Sequence, residues 1–345
     1  MANEPDSLIK KINERFSDSR TELADIVLEE STGRWIVSGR VLDSRTRSAV
    51  LADLSVALPG AEVMDTLQEL RKPYPQWMNV AVNLTGLYAR PSWLAEMLSQ
   101  NIYGAVVEIL EDRGEWVFVR QLDGYLGWMF KDYLSLVEPG ISSHRVGVPM
   151  MLLRTEPDEA APVAFRLPEG AEVQVSASSG SWMKIEPHPD GLPCGLPGGW
   201  AKSPELMALQ TLPGTPDEKR QVILATALGL AGVPYLWGGT TAAGIDCSGL
   251  AQLSYRMAGL TLPRDADMQK DAGQPLESPN EPGDLLFFCS EEDRSRISHV
   301  AISLGGWKVI HSSRRRNGVA VDDVQAVPHL KETYLSACTY FNPES

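Results

Sequence analysis

Pro91, Gly104 and Trp116 return as Pro157, Gly170 and Trp182, each displaced by the same 66 residues. Around these markers apolar residues alternate, at Val107/Ile109 and Val117/Val119 and again at Val173/Val175 and Met183/Ile185. Each copy closes on Gly-Trp, at Gly127-Trp128 and Gly199-Trp200. Short period-two runs broken by glycine and proline form strands with one buried face, not helices. Such strands protect their edges best by curling into a small barrel. The middle of the chain is therefore expected to hold two β-barrels in tandem.

The flanks differ. In residues 1–75, Leu8, Ile9, Ile12 and Phe16 share one helical face, and Trp35, Val37 and Val41 alternate after a Ser31-Thr32-Gly33 turn. Ala49, Val50, Leu51, Leu54 and Leu58 mark a second helix stopped at Pro59-Gly60. This reads as a small α/β unit without catalytic chemistry, whose expected role is to pack against later domains. Proline and glycine at Pro73/Pro75, Pro139-Gly140 and Pro213-Gly214 suggest domains at 1–75, 76–140, 141–212 and 213–345. The expected class is multidomain α+β.

A net charge of −14, with no basic stripe, argues against nucleic acid or an anionic membrane as partner. No apolar run reaches membrane length, and Met1-Ala2-Asn3 does not open a basic-then-apolar leader, so a cytoplasmic location is expected. Cys194, Cys247, Cys289 and Cys338 show no paired spacing, so neither a disulfide framework nor a zinc site is expected. No metal or organic cofactor and no obligate protein partner are expected. Cys289 and Cys338 lie in apolar runs, and Cys194 in a Gly/Pro-rich loop.

Cys247 is different. It follows Gly238, Gly239, Gly244 and Asp246, and Leu250, Leu253 and Met257 then recur at helical spacing. Asp246 can cap that helix, and a thiol at a helix start meets free N–H groups that favour thiolate. Downstream, His299 and His311 each sit in an apolar, strand-like run that would hold the ring rigidly. A thiol, a base and a group that orients the base are the parts of a thiol acyl-transfer site.

The blocks PYLWGG, DCSGL, LPRDADMQ, GDLLFF, SHVAISLG and VIHSS, in that order over roughly residues 213–345, resemble the NlpC family of papain-like cysteine peptidases. The repeat resembles bacterial SH3-like domains. A small α/β unit, two such barrels and an NlpC-type domain resemble γ-D-glutamyl-L-diamino-acid endopeptidases, which degrade or recycle cell-wall peptides. The resemblance implies Cys247 as nucleophile, His299 as base and then acid, and His311 as the residue that orients His299. It also implies a murein-derived peptide as substrate.

Further residues have two readings each. Tyr235 is an oxyanion donor beside the Cys247 N–H, or core packing next to Trp237. Asp246 and Ser248 contact the peptide by resemblance, while Asp246 serves equally as a cap. Arg264 pairs either with the free α-carboxylate of D-glutamate or with Asp265 or Asp267. Arg314-Arg315-Arg316 reads first as a solvated hairpin tip, with attraction of an acidic peptide as the second reading. In the resembling subgroup an acid just before the first barrel's proline, with a tyrosine here matched by Tyr125, binds the free amine of L-alanine. This chain has Arg90 before Pro91, with Glu108 or Glu111 as nearby replacements. Arg90 implies altered recognition of the substrate N-terminus. It also keeps open an amidase or acyltransferase with another substrate, beside the third possibility of an idle, peptide-holding module.

Overall fold

The computed structural model describes residues 4–136, 142–278 and 281–341; the expected boundary at Pro139-Gly140 lies outside them. Two compact units are present, one formed by residues 1–77 with 107–131 and the other by residues 78–106 with 132–345. Among the described residues, no helix is long and apolar enough to cross a membrane.

In the first unit, helix Glu4–Arg15 precedes a hairpin of strands Ala24–Ser31 and Arg34–Val41. Thr32 takes a left-handed φ of 52° and Gly33 one of 80°, which makes the tight turn. Helix Ser44–Ala57 starts where Asp43 accepts the Thr46 N–H at 2.9 Å. It then returns the chain to strand Val63–Glu69, which runs parallel to Arg34–Val41, a pairing that periodicity did not reveal. Ile12, Val37, Val50 and Leu54 fill this small core. The same unit carries the antiparallel strands Val106–Asp112, Trp116–Gln121 and Leu126–Phe130. Leu42 and Leu70 pack there with Leu110 and Leu126, so the N-terminal elements do bury themselves against a later segment.

The second unit contains the hairpin Leu84–Tyr88/Met97–Ile102 and the second set of repeat strands. Strands Met150–Arg154 and Val163–Pro168 pair, and Val175–Ser179, Trp182–Ile185 and Gly199–Lys202 complete a five-stranded sheet. The alternation read from sequence holds there: Val173 and Ile185 are buried with Met151, Leu153 and Leu167.

The C-terminal part of this unit is an antiparallel six-stranded sheet. Its order is Gln274–Leu276, Tyr334–Thr339, Leu285–Cys289, Ile297–Gly305, Lys308–Ser313 and Gly318–Asp323. Helix Cys247–Met257 buries Leu250, Leu253 and Met257 in one core with Phe287, Val300, Ile302 and Ile310 of the sheet. Helix Pro216–Gly229 adds Ile223 and Ala227 to that core. Its start is closed by a reciprocal Thr215–Glu218 capping box. A helix amino terminus is thus held against the strands that carry both histidines.

Candidate active site

Asp246 organises the approach to Cys247. Its Oδ1 accepts the Gly249 N–H at 2.7 Å, which caps the helix, and its Oδ2 accepts the Gly238 N–H at 2.9 Å. Gly249 lies so close to the preceding loop that a Cβ there would sit 2.2 Å from the Gly239 carbonyl oxygen. The glycines seen in sequence therefore let the loop press on the helix start.

Cys247 is 9% exposed. Burial, and then the charge of Asp246, push its thiol up to about 12, against opposing N–H groups of Val300 and Ser248 and the charge of Arg264. The thiolate expected at a helix start is therefore not the resting form, because desolvation outweighs the helix-end donors. Val300, whose N–H meets the sulfur, directly follows His299 in strand Ile297–Gly305.

The two histidines lie on neighbouring strands. His299 Nε2 and His311 Nδ1 are 2.7 Å apart, and His311 Nε2 is 3.1 Å from Asp322 Oδ2. Arg316 holds Asp322 from the other side, with Nε 3.0 Å from Oδ2 and Nη2 bonded to Oδ1. Although burial raises it, the hydrogen bonds from Arg316 and His311 keep the Asp322 carboxyl below its usual range. A carboxylate only accepts, so His311 carries its proton on Nε2. Its bare Nδ1 then accepts from His299 Nε2–H, and His299 is left with a basic Nδ1. Burial lowers both imidazoles, for His299 well below 6.5, so the pair is neutral at neutral pH.

Asp322 was missed in the sequence. The signal was present: in Val319-Ala320-Val321-Asp322, Ala320 pairs with His311 across the ladder, and Asp322 is the next residue on that face.

Tyr235 is half-buried. Burial, then the charges of Cys247 and Asp246, push its phenol up to about 12, so it keeps its proton and can donate. Ser248 is 6% exposed; its Oγ bonds to Asp246 and accepts from Arg264 at 2.9 Å.

Arg264 corrects an expectation. It is 1% exposed and grips Asp246 with Nη1 at 3.1 Å and Nη2 at 2.6 Å, while its Nε donates to Ser99 at 3.0 Å. A guanidinium buried in this way is not the surface ion pair expected, and its bonds to Asp246 and Ser99 give it a structural role at the helix start. Asp246 and Ser248 are engaged in the same network, which makes them parts of the helix-start scaffold.

Arg90 is exposed on the turn that joins Tyr88 to Met97. Across the same turn, Glu96 accepts the Trp237 Nε1–H at 2.9 Å, which puts a carboxylate beside the PYLWGG loop. Glu108 and Glu111 are already engaged. Glu108 is 1% exposed under Arg71, and Glu111 bonds Arg40 and Arg113. Tyr125 belongs to the other compact unit and is 4% exposed, next to the Gly124 turn. All four cysteines are free, with Cys194 exposed and the others buried.

A buried thiol at a capped helix start, facing strands with a linked imidazole pair, defines a cysteine hydrolase of papain-like design. Comparison with known proteins gives the same class. Residues 232–338 match the NlpC/P60 family, residues 87–134 the bacterial dipeptidyl-peptidase Sh3 domain, and residues 147–207 the bacterial SH3 domain. The chain thus carries an NlpC/P60 cysteine-peptidase domain behind two bacterial SH3 domains. It is similar to a γ-D-glutamyl-L-lysine dipeptidyl-peptidase of Bacillus subtilis, 28% identical over 247 residues, covering 68% of this chain and 78% of that one. A protein of the same name from Bacillus cereus is 26% identical over 273 residues, covering 72% and 77%. The crystal structure of an NlpC/P60 family protein from Bacillus cereus shares the fold, with a TM-score of 0.65 at 21% identity over 77% of this chain and 100% of that one.

Proposed function

We propose that this protein hydrolyses the bond between γ-D-glutamate and the diamino acid of murein-derived peptides, with Cys247 as nucleophile. The observation that carries the reading is the His299–His311–Asp322 chain, which leaves His299 Nδ1 as a base beside the strand N–H that meets the Cys247 sulfur. The names of the Bacillus relatives support the bond type.

Because thiol and imidazole are both neutral at rest, proton transfer accompanies attack. Cys247 Sγ adds to the γ-carbonyl carbon as its proton passes to His299 Nδ1. The oxyanion meets the Cys247 backbone N–H, which the helix start leaves without an intrahelical acceptor, and the protonated Tyr235 hydroxyl. His299 returns the proton to the departing amine as the C–N bond breaks. It then takes one from water, which attacks the thioester, and gives it to the departing sulfur, freeing the γ-carboxylate and the thiol.

Glu96 supplies the negative charge that the resemblance leads one to seek at position 90, and it would accept the ammonium of an unblocked L-alanine. With that charge available nearby, Arg90 no longer argues for a different substrate. A requirement for a free amine suits degradation or recycling of peptides already released from sugar.

The test is hydrolysis of L-Ala-γ-D-Glu-meso-diaminopimelate and its lysine counterpart, each beside its N-acetylated form, with Cys247→Ala as control. Cleavage confined to the free-amine peptides, and weakened by Glu96→Gln, is expected. Turnover of the acetylated forms alone, or of none, refutes the reading.

A further inference from the structure

Arg264 is buried against Asp246 and Ser99, whereas other cations stand exposed at the hairpin tip. The three arginines at the hairpin tip separate cleanly by partner. Arg315 Nη2 pairs with Glu291 at 2.5 Å, and Arg316 pairs with Asp322. Arg314 is exposed and has no acidic partner among the described residues. Its guanidinium instead lies over two rings of the PYLWGG loop, 5.5 Å from the Tyr235 centroid and 5.2 Å from that of Trp237. Burial and the charge of Cys247 push the Tyr235 phenol up, and the nearby Arg314 guanidinium opposes them.

Backbone bonds fix this position. Tyr235 N–H donates to the Asn317 carbonyl at 3.3 Å and Val319 N–H to Val233 at 2.9 Å. Gly318 approaches so closely that a Cβ would sit 2.2 Å from the Val233 oxygen. The tip is thus tied to the loop that precedes the nucleophile, and His311 lies three residues before Arg314, on the strand Lys308–Ser313 that leads into the tip.

We infer that Arg314 is a specificity-determining residue that binds a substrate carboxylate next to the scissile bond. Stacking on two aromatic faces orients the guanidinium and leaves its charge uncompensated. A carboxylate is the group its planar fork fits. The inference builds on the proposed peptide substrate, which offers two such groups: the α-carboxylate of the γ-linked glutamate and a carboxylate of the departing diamino acid.

Alkylation of Cys247 tests the charge without any peptide. Rates with iodoacetate and with neutral iodoacetamide are measured on the full chain and read at the Cys247 peptide by mass. Arg314→Met is expected to lower the iodoacetate-to-iodoacetamide ratio about tenfold, and Arg314→Lys to retain part of it. The iodoacetamide rate reports whether each variant is folded. A ratio within twofold of wild type in Arg314→Met overturns the inference.

A second arm compares peptides amidated either at the glutamyl α-carboxylate or at the diamino acid. The amidation that slows wild type but leaves Arg314→Met unaffected identifies the bound group. Equal sensitivity of both enzymes to both amidations counts against Arg314. Failure of wild type to cleave any peptide refutes the proposed function, while the alkylation ratio still decides the role of Arg314.

Discussion

Asp322 offers the sharpest test of how the site works. His311 is 1% exposed, so the N–H it directs at Asp322 has no water to fall back on. A hydrogen bond to a charged group contributes about 1.5–3 kcal/mol. At 1.36 kcal/mol per factor of ten, losing it from the transition state slows turnover by about 10–150-fold. Asp322→Ala removes the acceptor. Asp322→Asn keeps the shape but leaves one oxygen for which Arg316 and His311 compete. Both variants are expected to lose kcat in this range. The pH profile should separate a positioning role from simple damage to the fold. Burial lowers the His311 pKa while Asp322 draws it upward, so removing the carboxylate lowers it further. Protonation of His311 breaks the neutral pair that holds the His299 base, so the acid limb of kcat/KM should move to lower pH even as the rate falls. Initial rates of peptide cleavage from pH 4.5 to 9, with thermal unfolding as control, make the measurement. Retention of kcat within twofold in both variants, with an unmoved acid limb, would refute the reasoning.

Two further outcomes concern stability. Glu169 is 5% exposed with its Oε2 unpartnered, and burial raises its pKa from 4.5 to about 7. A raised carboxyl pKa means that the folded state holds the proton longer, so this residue's penalty is absent below pH 4.5 and grows as pH rises to about 7. Glu169→Gln should therefore raise the denaturant midpoint at pH 8, by up to about 3 kcal/mol in free energy, and leave it nearly unchanged at pH 4.5. An equal shift at both pH values would exclude this cause. Gly249→Ala drives a methyl group against the Gly239 carbonyl and should cost about 1–3 kcal/mol or more while slowing alkylation of Cys247. Gly229→Ala, whose Cβ meets nothing within 4 Å, is the control and should be near neutral.

The sequence by itself determined whatever depends on near neighbours. Alternation around Val173 and Ile185 requires strands. Asp246, three residues before Gly249, together with the recurrence of Leu250, Leu253 and Met257, requires a helix that starts at Cys247. The apolar runs around His299 and His311 place each ring on a strand. Capping and period-two burial act over two to four residues, so they leave a local pattern that can be read.

Only the tertiary structure decided the partners. Arg264 meets Ser99 across 165 residues of chain, and Trp237 meets Glu96 across 141. Contacts over such spans leave no spacing rule, and on local grounds Arg264 read equally as a ligand or as a partner of Asp265 or Asp267, and Arg90 as the replacement of an acid. The state of Cys247 was hidden for a related reason. A helix start favours thiolate, but the burial that opposes it exists only once strand Ile297–Gly305 covers the sulfur and water is excluded. The type of each element was a local matter, whereas the charge and direction of each functional group depended on what the fold packed around it.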